Sequence, residues 1–554
     1  MTTINDDFTK INQTFYKYSS LSKEEIFQCS NLIDLLIKDK TIESFFNENS
    51  NIWKSNKFTE KRSGWINFEK QLPSILDEGS NLLNELLKEE YQQVVLIGIG
   101  GSSQSAKIFN SFKNKNNKSL ILHVLDSIHE QSVNTLLEKI DLEKTIFIIS
   151  SKSGSTLETN YLFNYFEEKL SENKINNIGS HFVAITDKNS PLHQIGLKKQ
   201  FRHIFTSPED IGGRFSFSTY FGLIPALICG FDVKKNLRTL KKSSQLFRNN
   251  SNNNPVLILS VLLFIYHKKG INQLIVTYST ELEYFATWLE QLIAESNGKE
   301  LKGLIPILKS EYQQKDIIFN NKKYAVLDYQ LDSINEHNFI KHSIPYIKSE
   351  IISENNILGE MFKWQLIITL LCYLIKIDPF NEPDVNESKI LALDVLSGKK
   401  TIPKRSKETA DISITKLLNQ LNENTPLAIN VFLPESNALN KKLTELSNLI
   451  SKKTSCLTFT GYGPRYLHST GQIQKGGPQN IYTLFIVENK NKIMNQRKSK
   501  IEKQLINLSY LQPEVDIISL KNSGRKVSVI DINTNYETEL EKVIKIVKDF
   551  KYDN

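Results

Sequence analysis

The segment FATWLEQLIAESNGKE, which is predicted to be helical, carries two side chains suited to proton transfer. Gln291 and Glu295 lie four residues apart there, so a helix places them on one face. The apolar residues of the segment form the packed face, and Asn297 and Gly298 predict the end of the helix. A carboxylate partly shielded from water suits a general base for a carbon-bound proton. Glutamates on such helices are more commonly only solvated, so the segment alone does not decide the role.

A second candidate group is the arginine in PEDIGGRFSFSTYFGL. Arg214 directly follows Gly212 and Gly213, and a flexible glycine pair lets the backbone bring a fixed positive charge close to a ligand. A guanidinium there can stabilise an oxyanion that develops during a reaction. A surface salt bridge is the alternative use of this arginine.

A glycine-rich turn follows an apolar run in VVLIGIGGSSQSAKIF. Gly98 and Gly101 lie in the turn, and Ser102 and Ser103 are predicted to open a helix whose N–H groups bind anionic or polyhydroxyl ligands. The dinucleotide motif GxGxxG fits less well, because Ser103 takes the place of its third glycine. We interpret the turn as a phosphosugar loop; the alternative is that the glycines only turn the chain.

A second polar loop, SSKSGSTLET, crowds hydroxyl groups at the start of another predicted helix. Ser151, Ser153 and Thr156 supply donors that can hold a phosphate without a metal ion, and Lys152 lies in the same loop. A serine-rich helix cap is the alternative interpretation. The two loops follow successive predicted strands, and open α/β sheets bind ligands at the carboxyl ends of their strands.

Short β-branched runs separated by helical lengths begin near residue 91 and predict parallel sheets in α/β layers. A helix over Ser279–Asn297 falls between two of these strands. The predicted strands are Val94–Ile99, Leu120–Leu125, Thr145–Ile149, Phe182–Ile185, Gln273–Thr277, Gly303–Ile307, Tyr324–Asp328, Leu427–Phe432, Leu457–Thr460 and Tyr482–Val487.

The chain is predicted to have four regions. Residues 1–90 have helix-like apolar spacing and form a helical N-terminal region, and residues 91–254 form a first α/β domain. Residues 255–390 form a second α/β domain after an Asn-rich break, and residues 391–554 form a C-terminal α/β extension that completes the second domain. We expect the active site to lie between the two α/β domains.

The composition excludes several classes of protein. With 554 residues, 40% of them hydrophobic and 23% charged, the chain has the balance of an ordinary globular protein. Its four cysteines lie far apart, so neither a metal cluster nor a disulfide framework is expected, and no cofactor is predicted. The apolar runs Val256–Tyr266 and Leu366–Ile375 are shorter than the roughly 20 residues of a membrane span and are predicted to be buried helices.

Charge and terminal sequence add two expectations. The net charge of +8 is modest for this length, and the basic run Asn489–Lys503 is interpreted as a solvated loop that leads into a helix, not as a nucleic-acid site. The first ten residues lack an apolar targeting region, which favours a cytoplasmic location.

Together, these segments resemble the glucose-6-phosphate isomerases, which have two sugar isomerase (SIS) domains. The likeness runs from about Trp53 to Lys389: DIGGRFSFSTYFG is similar to the first signature of the family, and DPFNEPDVNESK resembles the second. The resemblance implies two SIS-type parallel-sheet sandwich domains. Beyond Lys389, YGPRYLHSTGQIQKGGP resembles the isomerase half of bifunctional transaldolase and glucose-6-phosphate isomerase proteins, without a transaldolase half.

The resemblance implies a role for each matched residue. It implies reversible isomerisation of glucose 6-phosphate and fructose 6-phosphate through a cis-enediol, without metal or cofactor, in a homodimer whose histidine reaches the site from the partner subunit. The base would be Glu295, while Arg214 would steady the enediolate and Lys389 would assist ring opening. The residues expected to bind substrate are Gly101 and Ser102 for the sugar, Ser151, Lys152, Ser153 and Thr156 around the phosphate, and Gln291 at the wall of the site.

This sequence departs from the family pattern at two points. The family histidine is missing soon after ESNGK, and His468, four residues before Gln472, reproduces its spacing far downstream; His337 and His342 are the alternatives. Glu382 stands where many members have glutamine. Two rival functions stay open, namely an isomerase that also accepts mannose 6-phosphate or prefers another phosphohexose, and a non-catalytic SIS regulator that binds phosphosugars.

Overall fold

The computed structural model divides the chain into two compact units. Each unit is assembled from three stretches of sequence: unit 1 consists of Met1–Ser80, Gln104–Ser119 and Pro208–Asn381, and unit 2 consists of Asn81–Ser103, Leu120–Ser207 and Glu382–Asn554. The structure describes residues 16–19, 21–47, 62–310, 324–331, 345–351, 354–403, 405, 408–489 and 499–551.

The described residues contain fourteen strands, and the ten predicted ones agree with the observed bounds to within three residues at either end. They are β1 Tyr16–Ser19, β2 Gln93–Ile97, β3 Ile121–Leu125, β4 Thr145–Ser150, β5 Phe182–Asp187, β6 His203–Ser207, β7 Gln273–Tyr278, β8 Ile305–Ser310, β9 Tyr324–Leu331, β10 Tyr346–Ile351, β11 Leu427–Phe432, β12 Thr458–Tyr462, β13 Tyr482–Glu488 and β14 Lys526–Ile532.

The α-helices of the described residues alternate with these strands, apart from the helix-rich stretches of unit 1. They are α1 Lys23–Lys38, α2 Thr41–Phe46, α3 Leu72–Lys88, α4 Gln104–Ser111, α5 Glu130–Leu137, α6 Leu157–Glu172, α7 Pro191–Lys198, α8 Tyr220–Ile228, α9 Val233–Arg248, α10 Pro255–Lys268, α11 Glu283–Asn297, α12 Ile357–Ile375, α13 Pro383–Leu396, α14 Ala410–Leu418, α15 Asn437–Thr454, α16 Gly471–Gly476, α17 Lys500–Asn522 and α18 Tyr536–Asp549.

Unit 2 contains two fully parallel sheets. The first has the strand order β3-β2-β4-β5-β6. Its central strand β4 is buried at every residue, which explains the four apolar residues in the middle of TIFIIS. Leu505 and Leu508 of α17 belong to the hydrophobic core on this sheet. The second sheet has the order β12-β11-β13-β14 and its own core, which α14, α15 and α18 complete.

Unit 1 contains one five-stranded sheet of order β1-β10-β9-β7-β8. Strands β7 to β10 are parallel, whereas β1 pairs antiparallel with β10. This strand was not predicted in the N-terminal region, because an alternation over the four residues YKYS is too short to be recognised by pattern. Its hydrogen-bonded partner is a strand more than 300 residues later. The parallel α/β fold itself is confirmed.

The two long apolar runs form the buried helices that their composition predicted. Helix α10 is buried along most of its length. Helix α12 is long and apolar enough to cross a membrane, but 89% of its most apolar window is buried inside the protein, as in the core helix of a soluble protein. The four predicted regions stay a prediction. Residues 391–554, predicted as an extension of the second α/β domain, lie in the compact unit that holds the first sheet.

Candidate active site

Unit 1 holds the carboxylate and the amide that were predicted to share a helix face. Helix α11 carries both, and Gln291 Nε2 donates a hydrogen bond to Glu295 Oε2 at 3.1 Å. Gln291 is buried, whereas the Glu295 side chain keeps 13% of its surface exposed. Glu295 is therefore only partly shielded from water, and its other oxygen, Oε1, faces a different side chain.

That neighbour is Arg214, which lies in the 3-10 turn Gly213–Ser218. Its Nη1 lies 3.4 Å from Glu295 Oε1, and its Nε donates to Ser296 Oγ at 2.9 Å. The guanidinium is only 3% exposed, so a surface salt bridge is the wrong interpretation. Neither Gly212 nor Gly213 adopts a positive φ, so the position of Arg214 does not depend on a left-handed glycine.

A loop after α12 holds the far side of the guanidinium. Arg214 Nη2 donates to the carbonyl oxygens of Pro379 at 2.6 Å and Asn381 at 3.1 Å. Lys299, which is buried, donates from Nζ to the carbonyl oxygen of Asp378 at 2.5 Å and so fixes the same loop. Sequence reasoning gave no role to Ser296 or Lys299, although both lie in the ESNGK motif that carries the base.

The glycine-rich turn lies in unit 2, at the carboxyl end of β2. Gly100 has φ +64° and begins a 3-10 turn over Gly100–Ser102, so a left-handed residue is required there. Ser150 Oγ, at the end of the neighbouring strand β4, donates to the carbonyl oxygen of Ser102 at 3.0 Å. A Cβ atom at Gly98 would approach the Ser150 carbonyl oxygen to 2.8 Å. Glycine is therefore needed where the two strand ends meet, beside Gly101 and Ser102.

The serine-rich loop follows β4 and ends at the N-cap of α6. Ser151 Oγ lies 3.0 Å from Thr156 Oγ1, and Ser155 N–H donates to Ser153 Oγ at 3.3 Å. Strands β2 and β4 are paired directly, so both predicted phosphosugar loops leave the same edge of one sheet. Lys152 forms an ion pair within the protein, in which its Nζ donates to Asp187 Oδ1 at 2.7 Å.

The structure places His468 beside a carboxylate that was not singled out from the sequence. His468 Nε2 lies 3.6 Å from Glu158 Oε1, and Gln512 Nε2 donates to the same oxygen at 2.5 Å. Burial raises the pKa of Glu158, but the hydrogen bond and the charge of His468 outweigh it, so the net pKa is lowered. Glu158 lies in the motif SSKSGSTLET, and this membership was the only sequence signal that could have identified it.

Lys389 lies on α13 in the same unit, and its charge also lowers the pKa of Glu158. Glu382, the residue that departs from the family pattern, is the N-cap residue of this helix. The alternatives His337 and His342 lie outside the described residues. Among the residues that the structure describes, no group of three or more His, Cys, Asp or Glu side chains could hold a metal ion.

Comparison with known proteins places this fold and these motifs in a family. The family model of phosphoglucose isomerase matches residues 84–324. The glucose-6-phosphate isomerase of Mycoplasmopsis synoviae strain 53 is 30% identical over 382 residues, which cover 59% of this chain and 87% of the relative. The glucose-6-phosphate isomerase of Campylobacter jejuni is 28% identical over 374 residues, which cover 58% of this chain and 91% of the relative.

A crystal structure of a glucose-6-phosphate isomerase from Chlamydia trachomatis has a similar fold. The TM-score is 0.57 at 18% identity, over 70% of this chain and 89% of the other. Parallel sheets with polar loops at their carboxyl edges define an open α/β protein whose ligand site lies at the strand ends. The chain belongs to the glucose-6-phosphate isomerase family. The resemblance of its C-terminal part to bifunctional transaldolase proteins stays a prediction.

Proposed function

We propose that this protein interconverts glucose 6-phosphate and fructose 6-phosphate by proton transfer between C2 and C1. The observation that carries the proposal is the arrangement of Gln291, Glu295 and Arg214, in which a partly covered carboxylate lies between a buried amide and a buried guanidinium. Phosphosugar binding alone does not require a base.

In the proposed reaction, Glu295 takes the proton from C2 of the open-chain aldose. The electron pair of that C–H bond forms the C1–C2 double bond, and the electrons of the former carbonyl group move onto the C1 oxygen. The positive charge of Arg214 stabilises the resulting cis-enediolate, and the hydroxyl proton on O2 moves to O1. The C2–O bond then becomes the carbonyl group while the electrons of the C1–C2 double bond take the proton from the protonated base at C1, which gives the ketose. Atoms and charge balance without an oxidant, a metal ion or a cofactor.

The two loops of unit 2 would hold the substrate. The hydroxyl groups of Ser151, Ser153 and Thr156 and the backbone N–H groups near them are suited to the phosphate, and Gly101 and Ser102 to the sugar hydroxyl groups. The pairing of Lys152 with Asp187 gives Lys152 a supporting role in this loop.

Ring opening precedes proton transfer, because the sugar phosphates are mainly cyclic. We assign this step to His468 and Lys389. One of them accepts the proton of the anomeric hydroxyl group, and the other donates a proton to the ring oxygen. The contact of His468 with Glu158 supports the choice of this histidine over the alternatives.

A cytoplasmic homodimer completes the proposal, on the family resemblance alone. An isomerase that also accepts mannose 6-phosphate and a non-catalytic phosphosugar-binding regulator are the rival functions. Mannose 6-phosphate differs at C2, so a direct assay of both aldoses separates the first rival.

The test is a coupled assay for glucose 6-phosphate formed from fructose 6-phosphate. The matched pair of variants is Glu295→Gln and Glu283→Gln, since Glu283 lies exposed in the first turn of the same helix. Glu295→Gln should lower kcat by about 100-fold to 10,000-fold while phosphosugar binding stays near normal, and Glu283→Gln should keep full activity. If the wild-type protein binds fructose 6-phosphate but forms no glucose 6-phosphate, the protein is a phosphosugar-binding regulator instead.

A further inference from the structure

The loop that follows α12 presents a row of main-chain carbonyl groups to cationic side chains. Residues 378–381, which we call the carbonyl loop, have four consecutive carbonyl oxygens, and each accepts a hydrogen bond from a lysine or an arginine. Bonds from charged donors are stronger than bonds between neutral groups, so the loop is firmly held. The bonds join Lys299 to Asp378, Arg214 to Pro379 and Asn381, and Arg62 to Phe380, at 2.5 to 3.4 Å.

The lysine of this set belongs to the motif that carries the base. Lys299 follows Glu295 by four residues, directly after the C-cap residue Gly298 of α11. Its side chain is buried, with only 3% of the residue exposed. A buried ammonium group needs hydrogen-bond acceptors from the protein, because water cannot replace them. The end of the helix that carries the base therefore also holds Asp378, the first residue of the carbonyl loop.

The second arginine of the set comes from the N-terminal part of unit 1. Arg62 directly precedes Ser63, which forms an isolated antiparallel bridge with Ile211. The next residue, Gly64, donates its N–H to the carbonyl oxygen of Asp210 at 3.2 Å. Arg62 therefore approaches the carbonyl loop from a strip of backbone that is bonded to the segment just before the catalytic arginine.

The carbonyl loop is also held together internally. Asp378 Oδ1 accepts a hydrogen bond from the N–H of Phe380 at 2.8 Å. The ring of Phe380 packs edge-on against Phe215, the residue after the catalytic arginine, at 5.3 Å between ring centroids. A displacement of either end of the loop would therefore move the carbonyl groups of Pro379 and Asn381 as well. All of these residues belong to unit 1.

We infer that Lys299 and Arg62 are positioning residues for Arg214: they hold the carbonyl loop, and the carbonyl loop fixes the guanidinium beside Glu295. The inference rests on the proposed function, in which this guanidinium stabilises the enediolate. Both residues act on the substrate only through Arg214. A lysine that only closes the end of α11 would affect folding stability, and its effect on the rate would not depend on the arginine.

The first experiment compares two lysines of the same turn. Lys299→Met keeps a long side chain but removes the donor, and Lys302→Met is the matched control, because Lys302 Nζ donates at 3.1 Å to Ile375, outside the carbonyl loop. With fructose 6-phosphate, Lys299→Met should lower kcat by about 10-fold to 100-fold at nearly constant KM. Lys302→Met should keep the wild-type constants. A wild-type kcat in Lys299→Met would overturn the inference.

Arg62→Met is a second variant of the same kind. Arg62 is only half-buried, so this substitution should fold even if Lys299→Met does not. It removes one of the four bonds to the carbonyl loop, and kcat should fall by about 3-fold to 10-fold. If Lys299→Met does not fold, the measurements on Arg62→Met decide.

A double-mutant cycle tests whether the lysine acts through the arginine. In Arg214→Lys protein the fork of bonds to Pro379 and Asn381 is lost, so the position of the carbonyl loop matters less. Adding Lys299→Met to this variant should lower kcat by less than about 3-fold further. A further loss as large as in the single variant would overturn the inference, because the two residues would then act independently.

The last measurement reports the position of the guanidinium without catalysis. The ¹⁵N NMR signal of Arg214 Nε, identified by its absence in Arg214→Lys, should shift in Lys299→Met and Arg62→Met but not in Lys302→Met. A lower kcat with an unmoved signal would overturn the inference, and so would a shifted signal with a wild-type kcat. If the wild-type protein has no isomerase activity but the signal responds to Lys299→Met, the proposed function fails while the positioning of Arg214 stands.

Discussion

Arg214 Nη1 lies 3.4 Å from Glu295 Oε1, and the guanidinium is held from three other directions by Ser296 Oγ and by two carbonyl oxygens of the loop after α12. The arginine therefore cannot turn away from the base. A fixed positive charge beside a proton-accepting carboxylate is the arrangement that an enediolate intermediate requires. The negative charge that develops on the substrate oxygen is then stabilised by a guanidinium that is already in position.

The first prediction concerns Arg214→Lys. A lysine keeps the charge but cannot bond to the serine and both carbonyl groups at once, so its ammonium would not be fixed in the same place. We expect kcat to fall by about 100-fold to 1,000-fold with a much smaller change in KM, measured with fructose 6-phosphate. Arg202→Lys is the control, since Arg202 pairs with Glu89 in the other unit. An unchanged kcat in Arg214→Lys would show that the guanidinium does not contact the transition state.

The second prediction concerns the phosphate loop. Ser151→Ala and Ser153→Ala should raise KM more than they lower kcat, because contacts to the phosphate are equally strong in ground state and transition state. Ser413→Ala removes a hydroxyl group that donates to Val529 on a different sheet, and it should leave both constants unchanged. A collapse of kcat at constant KM would contradict the assignment of this loop to the phosphate.

The third prediction concerns metal ions. Activity should survive prolonged dialysis against a chelator, because Arg214 supplies the charge that a metal ion would otherwise provide. The measurement is the initial rate before and after dialysis, with and without added zinc. Activity that disappears with the chelator and returns with zinc would show that the arginine is insufficient.

The fourth prediction concerns pH and His468. The folded protein lowers the pKa of Glu158 below the value of the unfolded chain, so this carboxylate stabilises the fold above the unfolded pKa of about 4.5, and its contribution is lost as the pH falls through the folded value. His468→Ala should cost about 1 to 3 kcal/mol of unfolding free energy at pH 6, and less at pH 3.5. Urea unfolding at the two pH values measures the difference. An equal loss at both would mean that the cost arises from packing.

Ten of the fourteen strands were predictable because each of the ten is a local pattern. Runs such as TIFIIS and LAINVF are mainly apolar and buried at every residue because both faces of a parallel sheet are covered, and no distant information is needed to recognise them. The loops after β2 and β4 were predictable for the same reason, since a turn at a strand end depends on a few neighbouring residues.

Glu158 and Asp516 were not predictable from local pattern. Glu158 looks like any glutamate in a first helical turn, and its importance arises from His468, which lies 310 residues later. Asp516 lies in the 23-residue helix α17, which carries both apolar and polar residues, so an aspartate there could as well face solvent. Its partners Tyr466, Lys475 and Ser388 come from three other segments that only the folded chain brings together.

The division of unit 2 into separated stretches has a consequence for how the protein is made. The core of its first sheet includes Leu505 and Leu508, about 300 residues after the last strand of that sheet. At a synthesis rate of ~5–20 residues per second, the ribosome delivers α17 roughly 15 to 60 s after the sheet has emerged. Until then the face of the sheet that α17 covers stays uncovered, while every segment of unit 1 has already been released. The newborn chain is therefore most prone to aggregate, and most in need of a chaperone, during this interval.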